Sequence, residues 1–71
     1  MKWKDYIHSD PEILSGKPVI KGTRLAVEFI LGLLSEGWTE KELFENYPEL
    51  TKKSLQAIFT YAVDILKREK T

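Results

Sequence analysis

Residues 15–24 carry three cations and no acidic residue, so this segment could bind an anion or a carboxylate. The cations are Lys17, Lys21 and Arg24. Gly16 and Gly22 would let backbone amides approach the bound group. The Gly-Lys-Ser/Thr order and spacing of a phosphate-binding P-loop are missing, which excludes that motif. The alternative is structural: the glycines serve turns, and Arg24 holds the segment against the rest of the fold.

A second set of polar side chains lies near the start of the last predicted helix. If this helix enters the major groove of DNA, Lys52 and Lys53 would contact phosphates, and Gln56 and Thr60 would lie near base edges. The alternative is a solvated face on an ordinary helical core. DNA phosphates would also repel the glutamates on or beside the preceding helix. These are Glu40, Glu42, Glu45 and Glu49.

The residue types needed for enzyme or metal chemistry are scarce. The chain has no Cys and a single His, His8, which excludes disulfides, thiolate metal sites and the usual His clusters for zinc. His8 stands near Asp10, but a lone imidazole in a turn is more often structural than catalytic. We therefore expect no enzymatic activity and no metal, cofactor or small-molecule substrate.

The length of 71 residues predicts one small domain. Closely spaced Pro and Gly in residues 1–25 predict turns and two short extended pieces, at 3–7 and 17–20. We therefore divide the single domain 1–71 into a β arm with turns, 1–25, and a three-helix part, 26–71.

Beyond the arm, the apolar spacing changes to that of helices. The predicted helices cover 26–36, 39–46 and 51 to about Arg68 or Glu69. Gly37 would end the first helix, and Thr39 and Thr51 would cap the second and third. A short helix, a brief connection and a longer helix match a helix-turn-helix. The fold class is thus mainly α: a three-helix, homeodomain-like core with a short N-terminal β arm.

The first and third predicted helices have different apolar faces. Helix three carries one apolar stripe that should face the core, namely Leu55, Ile58, Phe59, Ala62, Ile65 and Leu66. Helix one is apolar almost all round, and so short a chain has few elements to cover it, which favours a second copy related by two-fold symmetry. Gly32 would let another backbone approach closely; the alternative is a tolerated glycine. The predicted dimer interface consists of Phe29, Gly32, Leu33 and Tyr61.

The formal net charge of zero hides an uneven distribution. Residues 28–50 are acidic, whereas 1–27 and 51–71 are basic. A pI near 6.6 lacks the bulk positive charge of a typical nucleic-acid binder, so any DNA contact would depend on local patches. No apolar run is long enough to span a membrane, and the N-terminus lacks the apolar region of a signal peptide. We expect a cytoplasmic protein without a membrane partner.

Several strings in the chain resemble domain-of-unknown-function family 433. They are Asp10-Pro11-Glu12-Ile13-Leu14, Gly16-Lys17-Pro18-Val19-Ile20-Lys21-Gly22-Thr23-Arg24, Leu34-Ser35-Glu36-Gly37-Trp38-Thr39 and Tyr47-Pro48-Glu49-Leu50-Thr51. The resemblance implies a homeodomain-like helical core with a β arm, and dimers. It also implies an antitoxin of VapB type, paired with a toxin that resembles a PIN-domain ribonuclease. It implies no catalytic residues.

Three functional hypotheses follow. The first is a dimeric antitoxin that inhibits a PIN-like ribonuclease and represses its own promoter by binding operator DNA. Lys17, Lys21 and Arg24 would then face the acidic, metal-holding pocket of the toxin, with Arg24 best suited to bind a carboxylate through its planar guanidinium. The second is a stand-alone DNA-binding regulator, and the third is a dimeric adaptor that binds only proteins.

Overall fold

The computed structural model describes residues 1–68, which form three α-helices and a two-stranded ribbon. The elements are β1 (Ile7–Ser9), β2 (Pro18–Ile20), α1 (Val27–Ser35), α2 (Glu40–Asn46) and α3 (Lys52–Arg68). Short 3₁₀ turns at Trp3–Asp5 and Leu14–Gly16 precede the two strands. The predicted fold class, mainly α with a short N-terminal β arm, is confirmed. The predicted helix end at Glu69 lies outside the described residues.

The β arm is an antiparallel pair that packs against the helices. Ile7 lies opposite Ile20, and both side chains are buried in the core. A bridge between Val19 and Ala26 ties β2 to the residue that precedes α1. Because a two-stranded ribbon alone is marginal in water, this packing is what stabilises the arm. The extended piece predicted at 17–20 is confirmed as β2.

The extended piece predicted at 3–7 is wrong for most of its length. Trp3–Asp5 is a 3₁₀ turn, and the strand begins only at Ile7. The turn directs Trp3 onto α3, where its indole Nε1–H donates to the Asp64 carboxylate at 3.0 Å. The Trp3 ring also meets Tyr61 edge to face, with ring centroids 4.8 Å apart. The N-terminal Trp3 therefore packs on α3 and does not belong to a strand.

Replacing Trp3 with Phe tests this attachment of the N-terminus to α3. We expect the free energy of unfolding to fall by about 1–2 kcal/mol, because the hydrogen bond to a carboxylate is lost and the ring is smaller. Urea denaturation measures the change, and a double-mutant cycle with Asp64→Ala isolates the pair. An interaction energy near zero would show that the hydrogen bond contributes nothing.

Local capping sets the start of α2 and α3 where the sequence predicted it. The Thr39 hydroxyl accepts a hydrogen bond from the Glu42 N–H at 3.1 Å, and the Glu42 carboxylate accepts one from the Thr39 N–H at 3.0 Å. This reciprocal pair is a capping box. Thr51 and Ser54 form the equivalent pair at the start of α3. The predicted starts of both helices are confirmed.

The end of α1 depends on Gly37, which has a φ of +99°. The Gly37 N–H donates to the Leu34 carbonyl, and the Trp38 N–H donates to the Leu33 carbonyl. These two bonds form a Schellman motif, which requires a left-handed residue at the position of Gly37. The predicted helix end at this glycine is confirmed.

The core lies where the ribbon meets the three helices. Its largest fully buried side chains come from four different elements: Val19, Ile30, Leu43 and Ile58. Leu50, in the connection between α2 and α3, is also buried. Each main element thus contributes to one apolar cluster.

The apolar stripe predicted to bury α3 is only partly correct. Leu55 and Ile58 are buried, but Phe59 is 43% exposed and Leu66 is 69% exposed. Ser54 and Ala57 are buried instead. The N-terminal turn packs near Tyr61 and Asp64, which shifts the covered face of α3 toward that side. Ala57 is fully buried within the chain, so it is not available to a contact surface on α3.

Candidate protein-binding groove

An open groove of about 810 Å³ runs along the outer side of α1. One wall is α1, and the other consists of the loops that precede β2 and α1. The groove is lined by Leu14, Ser15, Lys17, Arg24, Leu25, Ala26, Glu28, Phe29, Gly32, Leu33 and Glu36. A mainly apolar concavity with a few charged groups at its edge is the usual form of a binding site.

The loop that carries Arg24 is held by the side chain of Thr23. The Thr23 hydroxyl donates to the Ile20 carbonyl at 2.8 Å and accepts from the Leu25 N–H at 3.0 Å. The Leu25 carbonyl also accepts from the Ile20 N–H at 3.0 Å. These hydrogen bonds fix the connection between β2 and α1, so Arg24 is presented to the groove from an ordered loop.

The opposite wall of the groove has an unusual backbone. Leu14 and Ser15 have φ values of +48° and +57°, in the left-handed region that residues other than glycine rarely adopt. The Leu14 side chain is 37% exposed and lines the groove. Left-handed residues of this kind cost of order 1–3 kcal/mol each and occur often at binding surfaces.

The structure separates the three cations predicted to bind a partner. Lys17 and Arg24 line the groove, whereas Lys21 is exposed outside it. The Lys17 Nζ lies 2.7 Å from the Glu28 carboxylate, so its charge is already compensated. Both side chains of this pair are more than half exposed, and such surface pairs add little stability. Within residues 1–68, Arg24 is the cation of the groove that has no ion pair.

Apolar side chains of α1 extend the groove toward the connection between α2 and α3. Val27 and Ile30 face the core, while Phe29 on the outer side is 45% exposed. The Phe29 ring meets Tyr47 edge to face, with centroids 5.6 Å apart, and Tyr47 in turn lies 6.3 Å from the ring of Trp38. Sequence reasoning missed this aromatic row, because Tyr47 follows α2 and shows no helical periodicity with α1.

Three of the four predicted dimer residues lie in this same groove. Phe29, Gly32 and Leu33 line it, whereas Tyr61 lies on α3 and packs against Trp3 within the chain. A Cβ added at Gly32 would meet no atom within 4 Å, so the described chain itself supplies no close backbone there. The surface predicted for a second copy and the surface predicted for a partner therefore overlap in the groove.

The residues predicted to contact DNA lie on the solvent side of α3. Lys52, Lys53 and Gln56 are exposed, and Thr60 is half-buried. The Thr60 hydroxyl donates to the Gln56 carbonyl at 2.9 Å, so its proton is already used within the helix. Helical spacing places Lys53, Gln56 and Thr60 along one side of α3.

A smaller cleft of about 390 Å³ lies between the N-terminal residues and α3. It is lined by Met1, Lys2, Trp3, Lys4, Thr60, Val63, Asp64 and Lys67. The Lys4 Nζ lies 5.8 Å from the centroid of the Trp3 ring, a cation–π distance. Sequence reasoning did not connect Lys2 and Lys4 with α3, because only the folded chain brings them together.

Within residues 1–68, no hydrogen bond joins the side chains of His8 and Asp10. His8 lies in β1, and its Nε2 is buried without a hydrogen-bond partner in this part of the chain. The Asp10 carboxylate instead accepts from the Glu12 N–H. No group of three His, Asp or Glu side chains in the described chain is placed to hold a metal ion. Nor does this part of the chain contain a helix long and apolar enough to cross a membrane.

The fold and the groove together define a class of protein. It is a small three-helix domain with an N-terminal β arm and an open apolar surface along its first helix. The chain belongs to the family described as Protein of unknown function (DUF433), whose model matches residues 7–62.

A curated relative and a solved structure show the same likeness. The chain is 29% identical over 59 residues to Uncharacterized protein y4eO of Sinorhizobium fredii (strain NBRC 101917 / NGR234), an alignment that covers 83% of this chain and 27% of that protein. A crystal structure of a DUF433 member protein from Anabaena variabilis ATCC 29413 matches with a TM-score of 0.83 and 29% identity. That match covers 92% of this chain and 64% of the other, so the chain spans only part of both proteins.

Proposed function

We propose that this protein is an antitoxin that binds and inhibits a PIN-like ribonuclease through the groove along α1. The observation that carries the proposal is the groove itself, which combines the exposed Phe29 and the half-buried Leu33 of α1 with an uncompensated Arg24 at its edge. An apolar centre with a charged anchor is typical of protein interfaces, where Arg and aromatic residues contribute most of the binding energy. The choice of partner follows the expectation, drawn from the resemblance to family 433 in the sequence, that the chain is an antitoxin of VapB type.

In this proposal, Arg24 binds a carboxylate of the toxin. Its guanidinium can donate two parallel hydrogen bonds to one carboxylate, a geometry that Lys cannot offer. Lys17 contributes less binding free energy than the sequence predicted, because its ammonium group is already paired with Glu28. Exchange of this partner for a toxin carboxylate gains little free energy. Lys21 lies outside the groove and has no direct role in this proposal.

Co-expression with the product of the adjacent gene, followed by purification through a tag on this chain, tests the proposal. We expect a stable complex without ribonuclease activity. Recovery of this chain alone, together with an unchanged ribonuclease activity of the neighbouring protein, would overturn it.

Replacing Arg24 with Ala tests the role assigned to that side chain. We expect toxin affinity to fall about 30-fold or more, since truncation of one partner of a buried charge pair costs about 2–5 kcal/mol. Lys21→Ala is the matched control, because it removes a cation from the same loop but outside the groove, and it should change affinity less than about twofold. Titration of the ribonuclease with each variant gives both values. Equal inhibition by the two variants would show that Arg24 is not the anchor.

We also propose that the protein forms a homodimer, and that the second copy occupies the groove when the toxin is absent. Gly32 gives two α1 helices room to approach, and the exposed Phe29 and half-buried Leu33 offer apolar contacts between them. Because both occupants use one surface, toxin and second copy would compete for it.

A DNA-binding role is the second candidate function. It is favoured by the exposure of Lys52, Lys53 and Gln56 on one side of α3, after the short helix α2. The acidic residues of α2 count against it, since they would lie near the phosphates. A protein that retains its protein partner but does not bind its own upstream DNA would instead be the adaptor of the third hypothesis.

A further inference from the structure

Exposed lysines on α3 and on the N-terminal residues form a basic surface that the zero net charge conceals. These lysines are Lys2, Lys4, Lys52, Lys53 and Lys67. The one acidic residue of α3 is Asp64, and its carboxylate is already bound by the Trp3 indole and by Arg68 at 2.9 Å. Asp5 is the acid of the N-terminal 3₁₀ turn. The lysines therefore outnumber the free acids of this surface.

The arrangement of these lysines follows the length of α3. Lys53, Thr60 and Lys67 follow one another at steps of seven residues, so they lie on one side of the helix. The rise of 1.5 Å per residue places Lys67 about 21 Å along the helix axis from Lys53. Lys2 and Lys4 line the N-terminal cleft together with Thr60 and Lys67. The folded N-terminus thus places two further cations beside Lys67, in the C-terminal half of α3. We call Lys2, Lys4, Lys53 and Lys67 the basic strip.

We propose that the basic strip binds the phosphate backbone of double-stranded DNA. Each DNA strand carries one phosphate per about 3.4 Å of duplex axis, so a line of about 21 Å passes several phosphates. Gln56 lies between Lys53 and Thr60 and offers an amide that can pair with adenine in the major groove. This inference rests on the second candidate function and extends the contact from the start of α3 to its far end and the N-terminus.

The salt dependence of binding to a duplex tests the inference. The probes are a duplex of about two helical turns from the upstream region of the gene and a scrambled duplex of the same length. We expect Lys2→Ala/Lys4→Ala to lower the slope of log affinity against log salt by about 1.8, and Lys67→Ala by about 0.9, on both duplexes. Lys21→Ala is the control, because it removes an exposed lysine from the loop after β2, outside α2 and outside the strip, and should leave the slope unchanged.

Three results would overturn the inference. If only Lys52→Ala/Lys53→Ala lowers the slope, contact is confined to the start of α3, and the DNA-binding candidate function survives without the strip. If the wild-type protein binds neither duplex, the basic strip and the DNA-binding candidate function are both excluded. If poly-glutamate competes as well as DNA at equal charge, the strip binds acidic proteins. Circular dichroism of each variant verifies folding, and the protein is measured alone, so these outcomes do not depend on the antitoxin proposal.

Discussion

Phe29→Asp is expected to weaken binding of the adjacent-gene product about 30-fold or more. Phe29 lines the groove and contacts the ring of Tyr47, and truncation of a central aromatic residue in an interface costs about 2 kcal/mol or more. A carboxylate there would also repel the acidic pocket expected in the toxin. Isothermal titration with the purified partner measures the loss. If the second copy uses the same groove, sedimentation will show a monomer.

Phe59→Asp is the matched control for this experiment. Phe59 is 43% exposed, close to the 45% of Phe29, but it lies on α3 outside the groove. Both variants should remain folded, because neither side chain belongs to the buried core. Equal loss of binding in the two variants would indicate a general effect of charge, and retention of binding by Phe29→Asp would exclude the groove as the interface.

Leu43→Ala is expected to remove about half of the folding free energy. Leu43 is fully buried, and it is the residue through which α2 joins the core. Leu→Ala substitutions at such sites cost about 2–5 kcal/mol, because the transfer free energy is lost and a cavity remains. A chain of this length has a total stability of only about 4–11 kcal/mol. The midpoint of thermal unfolding should therefore fall by about 10 °C or more.

Leu66→Ala provides the comparison for Leu43→Ala. Leu66 is 69% exposed near the end of α3, so the same atoms are removed without a cavity. We expect a change within about 0.5 kcal/mol, as for other surface substitutions. Thermal unfolding followed by circular dichroism measures both variants. A similar loss in the two would mean that Leu66 is covered in solution, as it would be by a second copy packed on α3.

The ends of the helices could be predicted from the sequence because local groups determine them. The groups that set each helix end lie within about five residues of one another along the chain. They are Thr39 with Glu42, Thr51 with Ser54, and Gly37 with the preceding turn. A side chain that caps a backbone N–H needs only its own helix end and no group from a distant segment. The class of fold follows from these boundaries, since three short helices after a Pro- and Gly-rich segment have few ways to pack.

The composition of the groove and of the basic strip could not be predicted, because both depend on residues far apart in sequence. The pairing of Lys17 with Glu28 removes one cation from the predicted partner site. The contact of Trp3 with Tyr61 and Asp64 turns the N-terminus away from a strand and brings Lys2 and Lys4 to Lys67. Helical periodicity indicates that a helix has an apolar face, but it does not say which part of that face another segment will cover. Phe59 and Leu66 are exposed for this reason, since the neighbours that bury a side chain are chosen by packing across the whole fold.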